Sequence, residues 1–196
     1  MKHDAEYWFQ QLINAANEDL SIRTELEQTG ELFEGYHSRM RICHENNAAL
    51  LTKVLEEVGW PEPDQKQAYD AAWLIAIHAI SRPNLQRKVL KKLEDDLRHG
   101  EPVESEYAKL YDRIALYEGR QQRYGTQLFA SSSGWQVRDL EAPETVDVRR
   151  RAMKLSSLAQ ALHEASHQPG GFMDEASLAE HEKKFNEFLK EAGWRS

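Results

Sequence analysis

His78 is a lone imidazole in the most apolar helical stretch of the chain, Gln67 to Ile80, with Ala76 and Ala79 leaving room around it. A second imidazole, His44, falls on the apolar face of another helical stretch, and Asn47 follows one turn on. Asp112 breaks the polar-outside pattern of a third, beside Arg113. A carboxylate that meets a histidine inside a protein fixes its tautomer and raises its basicity, which suits general acid–base work. On this pattern His78 is the candidate general base or acid, Asp112 its orienting partner, and His44 the third member of the catalytic group. The competing reading is a histidine satisfied within the core. Spacing alone does not say whether these helices meet.

A second set is the segment Gln122-Arg123-Tyr124-Gly125-Thr126-Gln127, which follows a helix ending in Tyr117-Glu118-Gly119. It gathers two amides, a phenol and a hydroxyl around one glycine at a helix-to-strand junction, and loops on rigid elements are where ligands are usually read. Gln122, Tyr124, Thr126 and Gln127, together with Asn47, are therefore candidate substrate ligands. Asp147-Val148-Arg149-Arg150-Arg151 offers Arg149 or Arg150 as an inward fork for a carboxylate or phosphate. The alternative there is an exposed helix paired with Glu144.

Other chemistries lack a signature. His44, His78 and Asp112 have ligand atoms for a metal, but no close-spaced pair such as His-Glu-Xaa-Xaa-His occurs, so neither a metal nor another cofactor is expected. There is no Gly-Xaa-Ser-Xaa-Gly elbow, and Ser131 to Ser133 reads as a turn. Phosphate-loop and dinucleotide glycine patterns are absent. Cys43 is the only cysteine, which excludes an intrachain disulfide, fits a reducing compartment, and reads as a small core residue.

The elements that must position these groups are mostly helices. Tyr7 to Leu20 carries Trp8, Leu12, Ile13 and Ala16 at helical spacing, and Met40 to Val58 aligns Met40, His44, Asn47, Leu51, Val54 and Val58 on one face. Gly59-Trp60-Pro61 ends that helix. Gln67 to Ile80, apolar on every side, predicts a central buried helix. Leu85 to Leu97 is amphipathic, and Glu104 to Glu118 presents Tyr107, Leu110, Tyr111, Ile114 and Tyr117 as a core stripe. One β-hairpin is expected over about 123–139, turning through Ser131-Ser132-Ser133-Gly134. Helical periodicity resumes after Pro143 through Met153 and from Leu155 to His163. His167-Gln168-Pro169-Gly170-Gly171 is a loop, and Asp174 opens a last amphipathic helix with Leu178, Phe185, Phe188, Leu189 and Ala192 on one side.

Composition bounds the partners. With 196 residues, 40% hydrophobic and 30% charged, the chain reads as one soluble globular domain. It carries 25 basic and 33 acidic residues, net -8, a poor balance for phosphate neutralisation, so nucleic acid is not an expected partner. Residues 120–154 reverse the sign with seven basic against four acidic side chains, which fits either a small anion or a solvated basic surface. No apolar run is long enough to cross a bilayer and the N-terminus lacks a signal-peptide core, so a cytoplasmic protein without membrane contact is expected.

The ordered series Gly35-Tyr36, Met40, His44, Asn47, Gly59-Trp60-Pro61, Ala72-Trp73-Leu74-Ile75, His78-Ala79, Asp112-Arg113, Gly119, Gln122, Tyr124-Gly125-Thr126-Gln127 and Val146-Asp147 with Arg149-Arg150 resembles a bacterial family of unknown function. Its members typically show Trp-Leu-Ile-Xaa-Gln-His-Ala, then Asp-Arg, then Gln-Xaa-Tyr-Gly-Thr-Gln. The resemblance runs from about Leu32 to Leu155. Ile77 departs from the family's glutamine and Ile80 from its polar residue. The family supplies no activity, so the resemblance implies a shared site and leaves the chemistry open.

Three functions follow as expectations for a mainly α domain with one hairpin. The first is an enzyme whose polar pocket uses His78 on a small polar or anionic substrate. The second is a non-catalytic binding module with the same pocket. The third is an interaction protein that docks through the helices flanking the family-like core, 1–31 and 156–196.

Overall fold

The computed structural model describes residues 4–33, 36–131, 134–167 and 175–195. Gly35, Ser132, Ser133, the Gln168-Pro169-Gly170-Gly171 stretch, Asp174 and the side chain of Leu178 lie outside them. The described chain is mainly α, with eight α-helices and a single antiparallel hairpin among the described residues. It divides into two compact units, residues 1–86 and 87–196.

In the first unit α1 (Ala5–Thr29), α2 (Ser38–Glu57) and α3 (Lys66–His78) pack pairwise against one another. Asp4 caps α1 by accepting the Tyr7 N–H at 2.9 Å, and Gly30 ends it in the left-handed conformation, φ +82°. That helix runs past Leu20, where apolar spacing gives out, because Leu26 returns to the buried face and Gly30 is the first stop signal. Leu12, Ala48, Leu51, Val54, Ala72, Ile75 and Ala76 form the core, each essentially closed to solvent, with Ala16 and Met40 buried at its margin. α3 ends at His78, and the buried Gln86 amide donates to the Ala76 and Ile77 carbonyls at 2.9 and 3.1 Å, satisfying two acceptors of its last turn. No helix among the described residues is long and apolar enough to cross a membrane.

α4 (Pro83–Arg98) begins in the first unit and continues into the second, where Lys91–Asp95, Lys92–Asp96 and Arg98–Glu94 pair one turn apart on it. The second unit continues with α5 (Glu104–Tyr117), β1 (Leu128–Ser131), β2 (Gly134–Val137), a 3₁₀ turn Pro143–Thr145, α6 (Val146–Ala152), α7 (Leu158–Ser166) and α8 (Glu175–Glu191). The hairpin register pairs Leu128 with Val137, Phe129 with Gln136, Ala130 with Trp135 and Ser131 with Gly134. Its first strand starts later than the expected residue 123. The N–H groups of Arg123, Tyr124 and Thr126 are taken by a side chain of α5, and Gly125 sits at φ +64°, so residues 123–127 form a loop rather than a ladder, after a lone bridge between Gln122 and Leu140.

Candidate functional site

The loop is organised by Asp112, which is fully buried on α5. Its Oδ1 accepts the Arg123 and Tyr124 N–H groups at 2.7 and 3.1 Å, and its Oδ2 accepts the Thr126 N–H at 2.9 Å and the Thr126 hydroxyl at 3.0 Å. Burial pushes this carboxyl above its ordinary value against the pull of those donors. Gln122, also fully buried, closes the loop from the other side. Its Nε2 donates to the Gln127 and Arg138 carbonyls at 3.0 and 2.9 Å, and its Oε1 accepts the Gln127 N–H at 2.9 Å.

The two arginines act on the same backbone. Arg150 is 3% exposed; its Nη1 donates to the Tyr124 and Gly125 carbonyls at 2.8 and 3.0 Å, and its Nε to the Ser156 carbonyl at 2.6 Å. Arg149 donates to the Arg123 carbonyl at 2.6 Å, the Thr145 hydroxyl at 2.6 Å and the Glu141 carbonyl. Gln127 accepts from Arg113 at 3.2 Å and donates to the Thr126 hydroxyl at 3.2 Å. Tyr124 is buried edge-on against Tyr107 and Tyr111, and burial pushes its phenol up to about 12. Asp112, Gln122, Tyr124, Thr126, Gln127, Arg149 and Arg150 thus come together in the second unit, with the polar groups of this set largely engaged by the chain's own backbone.

His78 and His44 come together in the first unit, on a carboxylate that sequence reasoning passed over. Asp19 of α1 is completely buried. Its Oδ2 lies 3.0 Å from His78 Nδ1 and 3.2 Å from His44 Nε2, and the imidazole centroids are 4.8 Å apart. His44 Nδ1 is hydrogen-bonded to the Tyr36 hydroxyl at 2.8 Å. Burial alone would raise the Asp19 carboxyl; the contacts with His44 and His78 outweigh it and hold the group well below the ordinary carboxylate range. The His44 contact is one of proximity, since Nε2 lacks the direction of a hydrogen bond. Asp19 Oδ1 is likewise buried and undonated. The His78 side chain is 22% exposed, the most accessible of the three.

Asp19 is a carboxylate that meets His78, and the described partners of Asp112 lie in its own unit. A signal for it exists in the sequence: Leu12, Ala16, Asp19 and Leu26 share one helical face, and all four are buried. Asn47 joins α2 to α1 by donating to the Ala15 carbonyl at 3.2 Å, and its amide also meets Cys43 Sγ at 3.5 Å. Cys43 is buried, and burial together with the Asp19 charge pushes its thiol up to about 11.

The second unit also holds a cavity of about 480 Å³. Arg113, Arg120, Arg138 and Arg195 line it, opposed by Asp139 and Glu182. Glu118 pairs with Arg120, Glu182 pairs with Arg138, and Arg195 donates to the Tyr117 carbonyl at 2.7 Å.

Residues 7–167 match the family of unknown function DUF6624, and the chain belongs to that family. The match begins well before Leu32 and takes in α1 with Asp19 as well as α7. Neither a curated protein nor a solved structure matches the chain.

Proposed function

We propose that the chain is a cytoplasmic enzyme that performs general acid–base chemistry on a small polar substrate at the Asp19–His44–His78 centre. The observation that carries this reading is the buried Asp19 carboxylate with a partly exposed His78 on its Oδ2. An anionic Asp19 directs the proton of His78 to Nδ1 and makes Nε2 the basic nitrogen of that ring. His44, held at its other nitrogen by Tyr36, completes a set of groups able to share protons without leaving Asp19 bare. The test is a screen of ester, amide, phosphoester and glycoside substrates with the full chain. Turnover is expected in wild type and its loss in His78→Gln with melting preserved; turnover that survives His78→Gln would end the reading.

The cavity of the second unit supports an alternative, a non-catalytic module for a small anion. Its volume lies within the range of small-molecule sites, and its lining carries four guanidinium groups against two carboxylates. Thermal shifts with phosphate and with dicarboxylates, lost in Arg195→Ala, would favour it over the enzyme.

A further inference from the structure

We infer that Asp19, His44 and His78 form a binding site for one divalent transition-metal ion of the zinc type. The inference concerns the centre already proposed as catalytic and goes beyond that reading, since an ion can bind there whether or not turnover occurs.

The donor set comes first. One carboxylate and two imidazoles, each on a different helix, present ligand atoms that all lie within 4.8 Å of one another. Two imidazoles and a carboxylate are a recurrent protein set for zinc, with the fourth position left to water or substrate. Metal–ligand distances of ~2.0–2.1 Å on a tetrahedron place neighbouring ligand atoms about 3.3 Å apart. Asp19 Oδ2 stands 3.0 Å from His78 Nδ1 and 3.2 Å from His44 Nε2, so two edges of that tetrahedron are already nearly set.

Hydrogen-bonded rings would show similar distances, and two atoms separate the cases. His44 Nε2 is buried near Asp19 Oδ2 yet makes no directed hydrogen bond, and Asp19 Oδ1 is buried with no donor at all. Buried polar atoms are nearly always partnered, and two unpartnered ones in one cluster are what a bound cation would satisfy. Asp19 is wholly buried and His44 is 9% exposed, which rules out bulk water as the routine partner of either.

The surroundings fit. The Tyr36 hydroxyl oxygen, 2.8 Å from His44 Nδ1, can accept a hydrogen bond from Nδ1–H and so leave the lone pair on Nε2, which is the outer-shell bond that orients metal-bound histidines. Gln86 fixes the end of α3 at Ala76 and Ile77, immediately before His78. The partial exposure of His78 puts one ligand of the set within reach of solvent.

The experiment uses the full chain, stripped with chelator and titrated with Co²⁺ and Zn²⁺. Binding is followed by equilibrium dialysis, by Co²⁺ visible absorption and by the shift in melting temperature. One equivalent is expected, with a tetrahedral Co²⁺ spectrum and a higher melting temperature in Zn²⁺. Affinity should fall at least 100-fold in His44→Ala and His78→Ala, and roughly 10-fold in Tyr36→Phe. The exposed pair His163 and His167 on and just beyond α7, with rings 4.6 Å apart, is the competing surface site. His163→Ala/His167→Ala must therefore leave the bound equivalent and its spectrum unchanged. No Co²⁺ spectrum in the folded wild type, or a spectrum that disappears with His163 and His167, overturns the inference. If His44→Ala fails to fold, the partly exposed His78 decides: unchanged binding in His78→Ala also overturns it. Turnover in a chain that binds no metal would sink the metal alone, and metal binding without turnover would sink only the enzyme.

Discussion

Thr126 is held twice by one oxygen of Asp112: its N–H reaches Oδ2 at 2.9 Å and its hydroxyl reaches the same atom at 3.0 Å. With Arg123 and Tyr124 on Oδ1, one carboxylate replaces the ladder that residues 123–126 give up. Asp112→Ala strands three backbone donors in a buried setting and should cost about 3 kcal/mol or more, whereas Thr126→Val, which removes one hydroxyl donor, should cost about 1 kcal/mol. Urea unfolding of both variants measures this. Equal, small effects would remove Asp112 from the role of loop organiser.

Arg150 and Arg149 are neighbours with different fates. Arg150 is buried on three carbonyls, so Arg150→Ala should destabilise by about 3 kcal/mol, lowering the melting temperature by roughly 6–12 °C for a chain of this size. Arg149 is only half-buried, and Arg149→Ala should stay within about 1 kcal/mol of wild type. Calorimetry on the pair distinguishes them; a reversed order would contradict the burial that sets it.

Gly125 tests the loop sterically. At φ +64°, an added Cβ would lie 3.3 Å from Val137 Cγ2 and 3.4 Å from Leu140 Cδ1. Gly125→Ala combines backbone strain with crowding and should cost about 2 kcal/mol. Gly30→Ala, at φ +82° in the left-handed region with open space around it, carries strain without the crowding and should cost less. Thermal unfolding in which Gly30→Ala is the worse of the two would show that crowding at Gly125 is relieved.

Glu118 gives a pH dependence. Burial alone would raise its carboxyl, but hydrogen bonds from Arg120 and Arg87 outweigh that and hold it below the ordinary 4.5. A lowered folded value means the unfolded chain binds the proton more tightly, so this contribution is present above pH 4.5 and disappears as pH falls below it. Between pH 6 and pH 3, wild type should lose about 1 kcal/mol more than Glu118→Gln in chemical unfolding. Parallel acid profiles for the two proteins would show that the pair with Arg87 and Arg120 carries no net stability.

Much of this architecture could be read from the chain. Met40, Leu51 and Val54 mark α2 at helical spacing, the all-apolar stretch before His78 marks α3, and Gly59 ends α2 where expected. His44 and His78 could be suspected of sharing a core because each was polar in an apolar face. Their carboxylate was harder. Asp19 is 59 residues from His78, and in an acidic chain an aspartate near the end of an apolar stripe looks like the start of the solvated face. Gln122 shows the other difficulty. A polar side chain in an apolar setting has the same sequence signature whether it faces a substrate or the backbone, and its amide is engaged by Gln127 and Arg138. β1 starts later than its strand-forming residues suggest, because those before Leu128 answer to Asp112, whose influence is not local in sequence.

The Asp112 loop bears on inheritance. A relative that retains Asp112, Gln122, Thr126 and Arg150 retains the means of folding one loop, because those side chains hold carbonyl and N–H groups of their own chain. Nothing in that set obliges the relative to keep the same substrate. Two members of the family could therefore look alike across this block and diverge in chemistry. The divergence would be written at positions such as Asp19, where a single change of residue on α1 would leave the loop untouched while altering what His44 and His78 can hold.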